Sequence, residues 1–157
     1  MIIIACIDDH NGMMFHKRRQ SQDRLLREDM LRQCAGKKLY MNAYSHSLFL
    51  KDASLTQEAP AEIIAAEDFF LLAGEEDFCF LETMNDFLAA AETTPSLLEQ
   101  VQGVILYRWN RTYPADTYFS FDLAEDRWIL TKQEEFAGSS HERITRDTYQ
   151  RKKGSLS

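Results

Sequence analysis

The sequence predicts a single α/β domain with a mixed, mostly parallel central sheet, flanking helices and a C-terminal antiparallel hairpin. Three observations carry this reading. The chain opens on an uninterrupted apolar run, Ile2-Ile3-Ile4-Ala5-Cys6-Ile7, which suits a strand covered on both faces in the middle of a sheet. Strand-like and helix-like segments then alternate as far as Trp109. Two long alternating segments, Arg127 to Phe136 and Arg143 to Arg151, flank the turn-rich Ala137-Gly138-Ser139-Ser140-His141, which is the pattern of a hairpin.

The elements follow in order. A first strand over residues 2–8 leads into a loop from Asp8 to Phe15 that carries Gly12. A helix is expected from about Ser21, its N-cap, to Ala35, with Gly36 just past its end. Leu26, Met30, Leu31 and Cys34 share one arc of that helix, while Arg24, Arg27, Glu28 and Arg32 fall mostly on the other side. Lys38 to Met41 reads as a strand, Asn42 to Phe49 as a short helix and Lys51 to Pro60 as a polar connection. Residues 61–73 carry two signals: Pro60-Ala61-Glu62 suits a helix start, whereas Phe69-Phe70-Leu71-Leu72 suits a strand, and we favour a strand over 69–73. Phe78 to Leu81 is a strand. A helix capped by Asn85 or Thr83 runs to about Glu92, and Pro95 starts a short one ending near Gln102. Gly103 to Trp109 is a strand, and Asn110 to Asp126 is mostly loop.

Composition bounds the function. At 157 residues the chain fits one domain, expected to span residues 1–151 with a frayed tail over 152–157. Apolar residues make up 45% and charged residues 27%, which favours a folded chain over a disordered one. The net charge of -7 argues against nonspecific nucleic-acid binding. The opening apolar run stops at Asp8-Asp9, too short to span a bilayer and without a basic leader segment, so no membrane association is expected. Cys6, Cys34 and Cys79 are odd in number and widely spaced, as expected of buried thiols in the reducing cytoplasm.

With the elements placed, the chain resembles the dihydrofolate reductase family in outline. Ile4-Ala5-Cys6-Ile7-Asp8 through Gly12-Met13 resembles that family's first strand and following loop. Gly36-Lys37-Lys38-Leu39-Tyr40-Met41-Asn42-Ala43-Tyr44-Ser45 resembles its strand followed by Met-Gly-Arg-Lys-Thr. Ala115-Asp116-Thr117-Tyr118-Phe119 resembles its Gly-Asp-Thr-Phe-Phe, and Trp128 through Glu134-Glu135-Phe136 to Thr148-Tyr149-Gln150-Arg151 resembles its closing hairpin. The resemblance implies a dihydrofolate reductase-like fold. It also implies which chemistry is missing. The family's pterin-binding acid falls, counting back from Met41, on Leu26, which can neither bond a pterin nor relay a proton. The family's Gly-Arg-Lys-Thr, which holds the NADPH phosphates at a helix N-terminus, is here Asn42-Ala43-Tyr44-Ser45, without the glycine and both cations. Its Gly-Gly pair has no counterpart near Gly103.

One positive signal stands out. His16-Lys17-Arg18-Arg19-Gln20-Ser21-Gln22-Asp23-Arg24 holds four Lys or Arg and a histidine in nine residues of an acidic chain, just ahead of a helix N-terminus. His16, Lys17, Arg18, Arg19, Ser21 and Arg24 are therefore the candidate anion-binding residues, against the plainer reading of a solvated loop whose cations pair with nearby acids. The histidines form no HExxH motif, and Asp8, Asp9, His10 and His16 at a strand end read as a solvated turn rather than a metal site. Ser139-Ser140-His141 reads as turn chemistry, and Asn110-Arg111-Thr112 fits a glycosylation pattern with nothing to suggest secretion. The aromatics Trp109, Tyr113, Tyr118, Phe119, Phe121 and Trp128 read as core rather than pocket.

The expectation is a non-catalytic protein of this fold that needs no cofactor and binds a small anionic ligand, a nucleotide or phosphate, or else a protein partner. The alternative is an NADPH-dependent reductase of a pterin or related heterocycle with a changed proton source, for which the reductase domain of riboflavin biosynthesis is the nearest analogue by fold. A third reading is an interaction subunit, such as a homodimer, in which the basic loop pairs with Glu75-Glu76-Asp77.

Overall fold

The computed structural model describes residues 1–51 and 60–152. Its central strand is β1 (Ile2–Ile7). Ile3, Ala5 and Ile7 enter one core and Ile4 the other, all with no exposure, which is why this run has no polar face. β1 pairs in parallel with β6 (Phe78–Leu81) on one side and β7 (Gly103–Arg108) on the other. β4 (Lys38–Met41) and β5 (Glu62–Ala65) extend the parallel half. β10 (Ile144–Arg151) runs antiparallel to β7 and β9 (Trp128–Phe136) antiparallel to β10. The order β5-β4-β6-β1-β7-β10-β9 is the mixed sheet and closing hairpin that the alternation predicts.

Helices cover both faces. α1 (Arg24–Gln33) and α2 (Ala43–Leu50) bring Leu26, Met30, Leu31 and Phe49 onto Ile4, Leu39, Met41 and Ile105. The opposite face is covered by α3 (Phe69–Leu72), α4 (Asn85–Thr93) and α5 (Leu97–Gln100), through Phe69, Phe70, Phe87 and Leu97. Among the described residues no helix is long and apolar enough to cross a membrane.

Several local expectations are corrected. The segment after β1 is not all loop: β2 (Gly12–Phe15) pairs with β3 (Arg18–Arg19) and with β8 (Thr117–Tyr118) in a small second sheet. A tight turn makes this possible, because the Asp8 carboxylate accepts the amides of His10 at 2.8 Å and Gly12 at 2.7 Å. Helix α1 is capped by Asp23 rather than Ser21, the Asp23 carboxylate accepting the amides of Leu25 and Leu26. Gly36 does end that segment in the left-handed region, at φ 75°. Arg27, expected on the solvent side, is buried. In residues 61–73 the strand lies at 62–65, and 69–72 is a helical turn. Adjacent Phe69 and Phe70 are buried while adjacent Leu71 and Leu72 are exposed, a pattern with the period of a helix and not of a strand. At the start of α4 the hydroxyl of Thr83 accepts the Asn85 amide. The expected polar connection and frayed tail fall mostly on 52–59 and 153–157, outside the described residues.

A buried ion pair fastens α1 to the sheet. The Arg146 guanidinium on β10 donates to both oxygens of Asp29 on α1, at 2.7 and 2.6 Å, and its other nitrogen reaches Glu134 at 2.6 Å. The Tyr107 hydroxyl also donates to Asp29, at 2.6 Å. Burial, and then the Asp29 charge, push the Tyr107 hydroxyl well above its usual pKa. Arg146→Met leaves the Asp29 charge buried and should cost about 3–5 kcal/mol in urea denaturation. Adding Asp29→Leu to that variant should recover much of the loss, since the orphaned charge is then gone.

Candidate functional site

The cleft that the family resemblance points to lies between α1 and the C-terminal ends of β1 and β6. It is lined by Cys6, Leu26, Met30, Phe80, Glu82 and Trp109 among others, and its cavity measures about 20 Å³. That is space for a single water, whereas pockets for drug-sized ligands run to roughly 300–1,000 Å³. Leu26 is 2% exposed and packs as core.

Arg19 closes this cleft. Its guanidinium meets Glu82 through two hydrogen bonds, Nε to Oε2 at 2.6 Å and Nη2 to Oε1 at 2.9 Å. The guanidinium also lies 4.2 Å from the centre of the Tyr44 ring. Ser45 donates its hydroxyl to the same carboxylate at 2.8 Å. Burial alone would lower the Arg19 pKa, but the bonds and charge of Glu82 outweigh it and hold the group firmly cationic.

The remaining members of the basic segment scatter. His16 and Lys17 form the two-residue tip between β2 and β3, with φ of 50° and 62°, and Phe15 pairs with Arg18 across the turn. His16, Lys17 and Arg18 are exposed, and the Phe15 ring meets His16 edge-on at 3.9 Å. The His16 amide donates to Asp116 at 3.0 Å. Ser21 bonds His141, and Arg24 pairs with Glu28 at 3.3 Å on the surface of α1. The structure thus keeps His16, Lys17 and Arg18 together, turns Arg19 inward, and assigns Ser21 and Arg24 to other partners.

The densest polar cluster centres on Asp23. Its carboxylate accepts the amides of Leu25 at 3.0 Å, Leu26 at 3.2 Å, Ser139 at 2.9 Å and Ser140 at 2.8 Å. It also contacts His141 Nδ1 at 3.0 Å. Burial alone would raise the Asp23 pKa; the Ser140 and Ser139 amides, His141 and the Leu26 amide outweigh it and hold the group well below the usual carboxylate range. On the far side of the imidazole, Nε2 lies 2.9 Å from Ser21 Oγ and 3.1 Å from the Tyr113 hydroxyl. The ring stacks on Trp109, with centroids 4.5 Å apart. No contiguous motif in the sequence marks this cluster. Ser139-Ser140-His141 and Asp23 each carry a local signal, for a turn and a cap, but 118 positions separate His141 from Asp23.

The other candidate positions have structural roles. At the N-terminus of α2 the Ser45 amide goes to Asn42 at 2.8 Å and the Ala43 amide to Glu67 at 3.4 Å, so side-chain acceptors and carboxylates stand where NADPH phosphates would sit. The residues present do not fit that cofactor's phosphates. Asp8 accepts the amides of His10, Gly12 and Tyr113 and the Gln20 side chain. Among the described residues no group of three His, Cys, Asp or Glu is placed to hold a metal. Cys34 and Cys79 are buried free thiols, pushed up to about 12 by burial, and Cys6 is partly buried. The Asn110 side chain donates to Arg143 and Thr145, joining the loop to β10.

No family model matches the chain, and no curated protein matches it. Solved structures do. One is dihydrofolate reductase from Enterococcus faecalis complexed with NADP(H) and RAB-propyl, at 10% identity and a TM-score of 0.58, the match covering 96% of this chain and 95% of that one. At that identity the likeness is one of fold: the chain has a dihydrofolate reductase-like fold.

Asp23→Ala removes the cap and the acceptor for two turn amides and should cost about 2–4 kcal/mol. Because the folded-state pKa of Asp23 is depressed, its contribution is complete above the ordinary carboxylate pKa of about 3.9 and is lost as pH falls below it. The stability gap between wild type and Asp23→Asn should therefore shrink on acidification from about pH 4 to pH 2, read by chemical denaturation across that range.

Proposed function

We propose that this protein keeps a dihydrofolate reductase-like scaffold without hydride transfer and recognises a small phosphate-bearing anion, of nucleotide or polyphosphate type, at the β2–β3 hairpin tip. The observation that carries this reading is the conformation of His16 and Lys17, both left-handed at φ 50° and 62°. A two-residue hairpin turn of this kind is ordinarily built from Asn-Gly, because only such residues adopt it cheaply. Holding His and Lys there costs about 1–2 kcal/mol each. A chain that carries this strain at an exposed tip keeps the side chains for what they do. Arg18 adds a second exposed cation beside them, and Phe15, 38% exposed, packs against the His16 ring. The tip cations lie apart from the inward Arg19, whose charge is already committed to Glu82.

Three features argue against a reductase of pterins: a buried Leu26, a cavity of about 20 Å³, and an α2 N-terminus whose amides already bond Asn42 and Glu67.

The test is thermal denaturation with tripolyphosphate, ATP, NADPH and folate at fixed protein concentration. A ligand of the folded state at about a hundred times its dissociation constant adds roughly 2.7 kcal/mol, or about 5–10 °C for a chain of this size. Tripolyphosphate or ATP should give such a shift in wild type, and Lys17→Ala with Arg18→Ala should remove it. His16→Asn with Lys17→Gly should raise the unliganded midpoint and abolish the shift, since it relieves the turn while deleting the recognising groups. A shift with NADPH or folate that survives both double variants would overturn the reading, and a response only to acidic polypeptides would reassign the tip to a protein partner.

A further inference from the structure

We propose that Ser21 is an activated nucleophile, with His141 as its general base and Asp23 as the group that positions the imidazole, and that the site hydrolyses small carboxylic esters. The three residues stand in the order that chemistry requires. Asp23 contacts Nδ1 at 3.0 Å and Ser21 Oγ lies 2.9 Å from Nε2, both within the reach of a nucleophile–base–orienter set. Asp23 is held ionised by four backbone amides, so it accepts the Nδ1 proton and leaves Nε2 as an acceptor facing the hydroxyl. The imidazole cannot rotate away, because it is stacked on Trp109 and only 6% exposed. Ser21 itself is partly exposed, unlike Asp23 and His141.

The surroundings supply the other parts. Ser21 lines the cavity of about 20 Å³, which has room for one water beside the nucleophile. The cavity cannot take the acyl group, so the ester carbonyl must be presented to Oγ from the surface, as a small, unhindered ester can be.

The steps balance. Ser21 Oγ bonds the ester carbonyl carbon as its proton passes to His141 Nε2. The tetrahedral adduct collapses, the carbon–oxygen bond to the alcohol breaks, and the alcohol leaves with the proton from Nε2. Water then adds to the acyl-Ser21 carbonyl carbon, giving its proton to Nε2, and the bond to Oγ breaks. The carboxylic acid departs as Oγ recovers its proton.

Tyr113 provides the check that a purely structural network would fail. Its hydroxyl lies 3.1 Å from the same Nε2, which has one lone pair for two hydroxyl donors. Removing that competitor should make Ser21 more reactive.

The experiment treats the full chain with a fluorophosphonate probe, which phosphonylates activated serines, and reads intact mass, peptide position and labelling rate. A single adduct on Ser21, its loss in Ser21→Ala, and faster labelling in Tyr113→Phe are expected. Hydrolysis of p-nitrophenyl acetate should fall at least about a hundredfold in Ser21→Ala, the lower range for general-base assistance. His141→Gln empties a buried site and is used only if circular dichroism shows it folded. No adduct, an adduct that persists in Ser21→Ala, or a rate unchanged by Tyr113→Phe would overturn the proposal.

Discussion

The carboxylate of Asp23 holds together one end of this molecule. A charge buried to this degree is tolerated only when its lone pairs are satisfied, and here the partners come from two distant parts of the chain. The Leu25 and Leu26 amides open α1, and the Ser139 and Ser140 amides belong to the turn between β9 and β10. Moving either part strands a buried charge, so the helix start and the hairpin turn are fixed to each other. The crowding is visible at Gly138, where an added Cβ would collide with an Asp23 carboxylate oxygen. His141 is drawn to the same point, and with it Ser21 and Tyr113.

A second ion pair decides what the cleft can hold. Arg19 and Glu82 are both largely withdrawn from solvent, with side chains 16% and 8% exposed, and their bonds run along the guanidinium edge. This geometry splits the basic segment into two populations. Arg19 faces inward and is spent on closing the cleft, while His16, Lys17 and Arg18 are pushed past the turn into solvent. A run of like charges in a sequence reports only their number; a hairpin of alternating faces decides which are free. The same hairpin thus contributes Arg19 to the wall of the cleft and presents His16, Lys17 and Arg18 at its exposed end.

The sheet was legible in the sequence because burial on both faces leaves an apolar run at β1, and because two strand-length segments flank the turn-rich 137–141 between β9 and β10. Elements whose identity depends on tertiary contact were not. Phe69-Phe70-Leu71-Leu72 has strand composition, yet only the pairing of buried and exposed neighbours shows a helical turn. Gly12 to Phe15 carries too little alternation to declare a strand without its partner β8. The same limit governed the site. The basic segment is contiguous and was found, although not its division. Asp23, His141 and Ser21 gave only cap, turn and hydroxyl signals, and 118 intervening residues hide the contact that gives them meaning.

The start of α1 separates an acid from the apolar face of the helix. Leu26 lies in the body of α1 and is buried in the core. Asp23 stands three positions earlier, outside the helical ladder, where the amides of α1 themselves are available to it. Those amides fix it in the ionised form, and the same carboxylate contacts His141 Nδ1. Leu26 then completes the apolar face of α1 and contributes to a core with no polar debt at that position. Three positions apart on one segment, an acid outside the helical ladder caps α1 and an apolar residue inside it completes the core, so the polar and apolar demands of the helix start are met side by side.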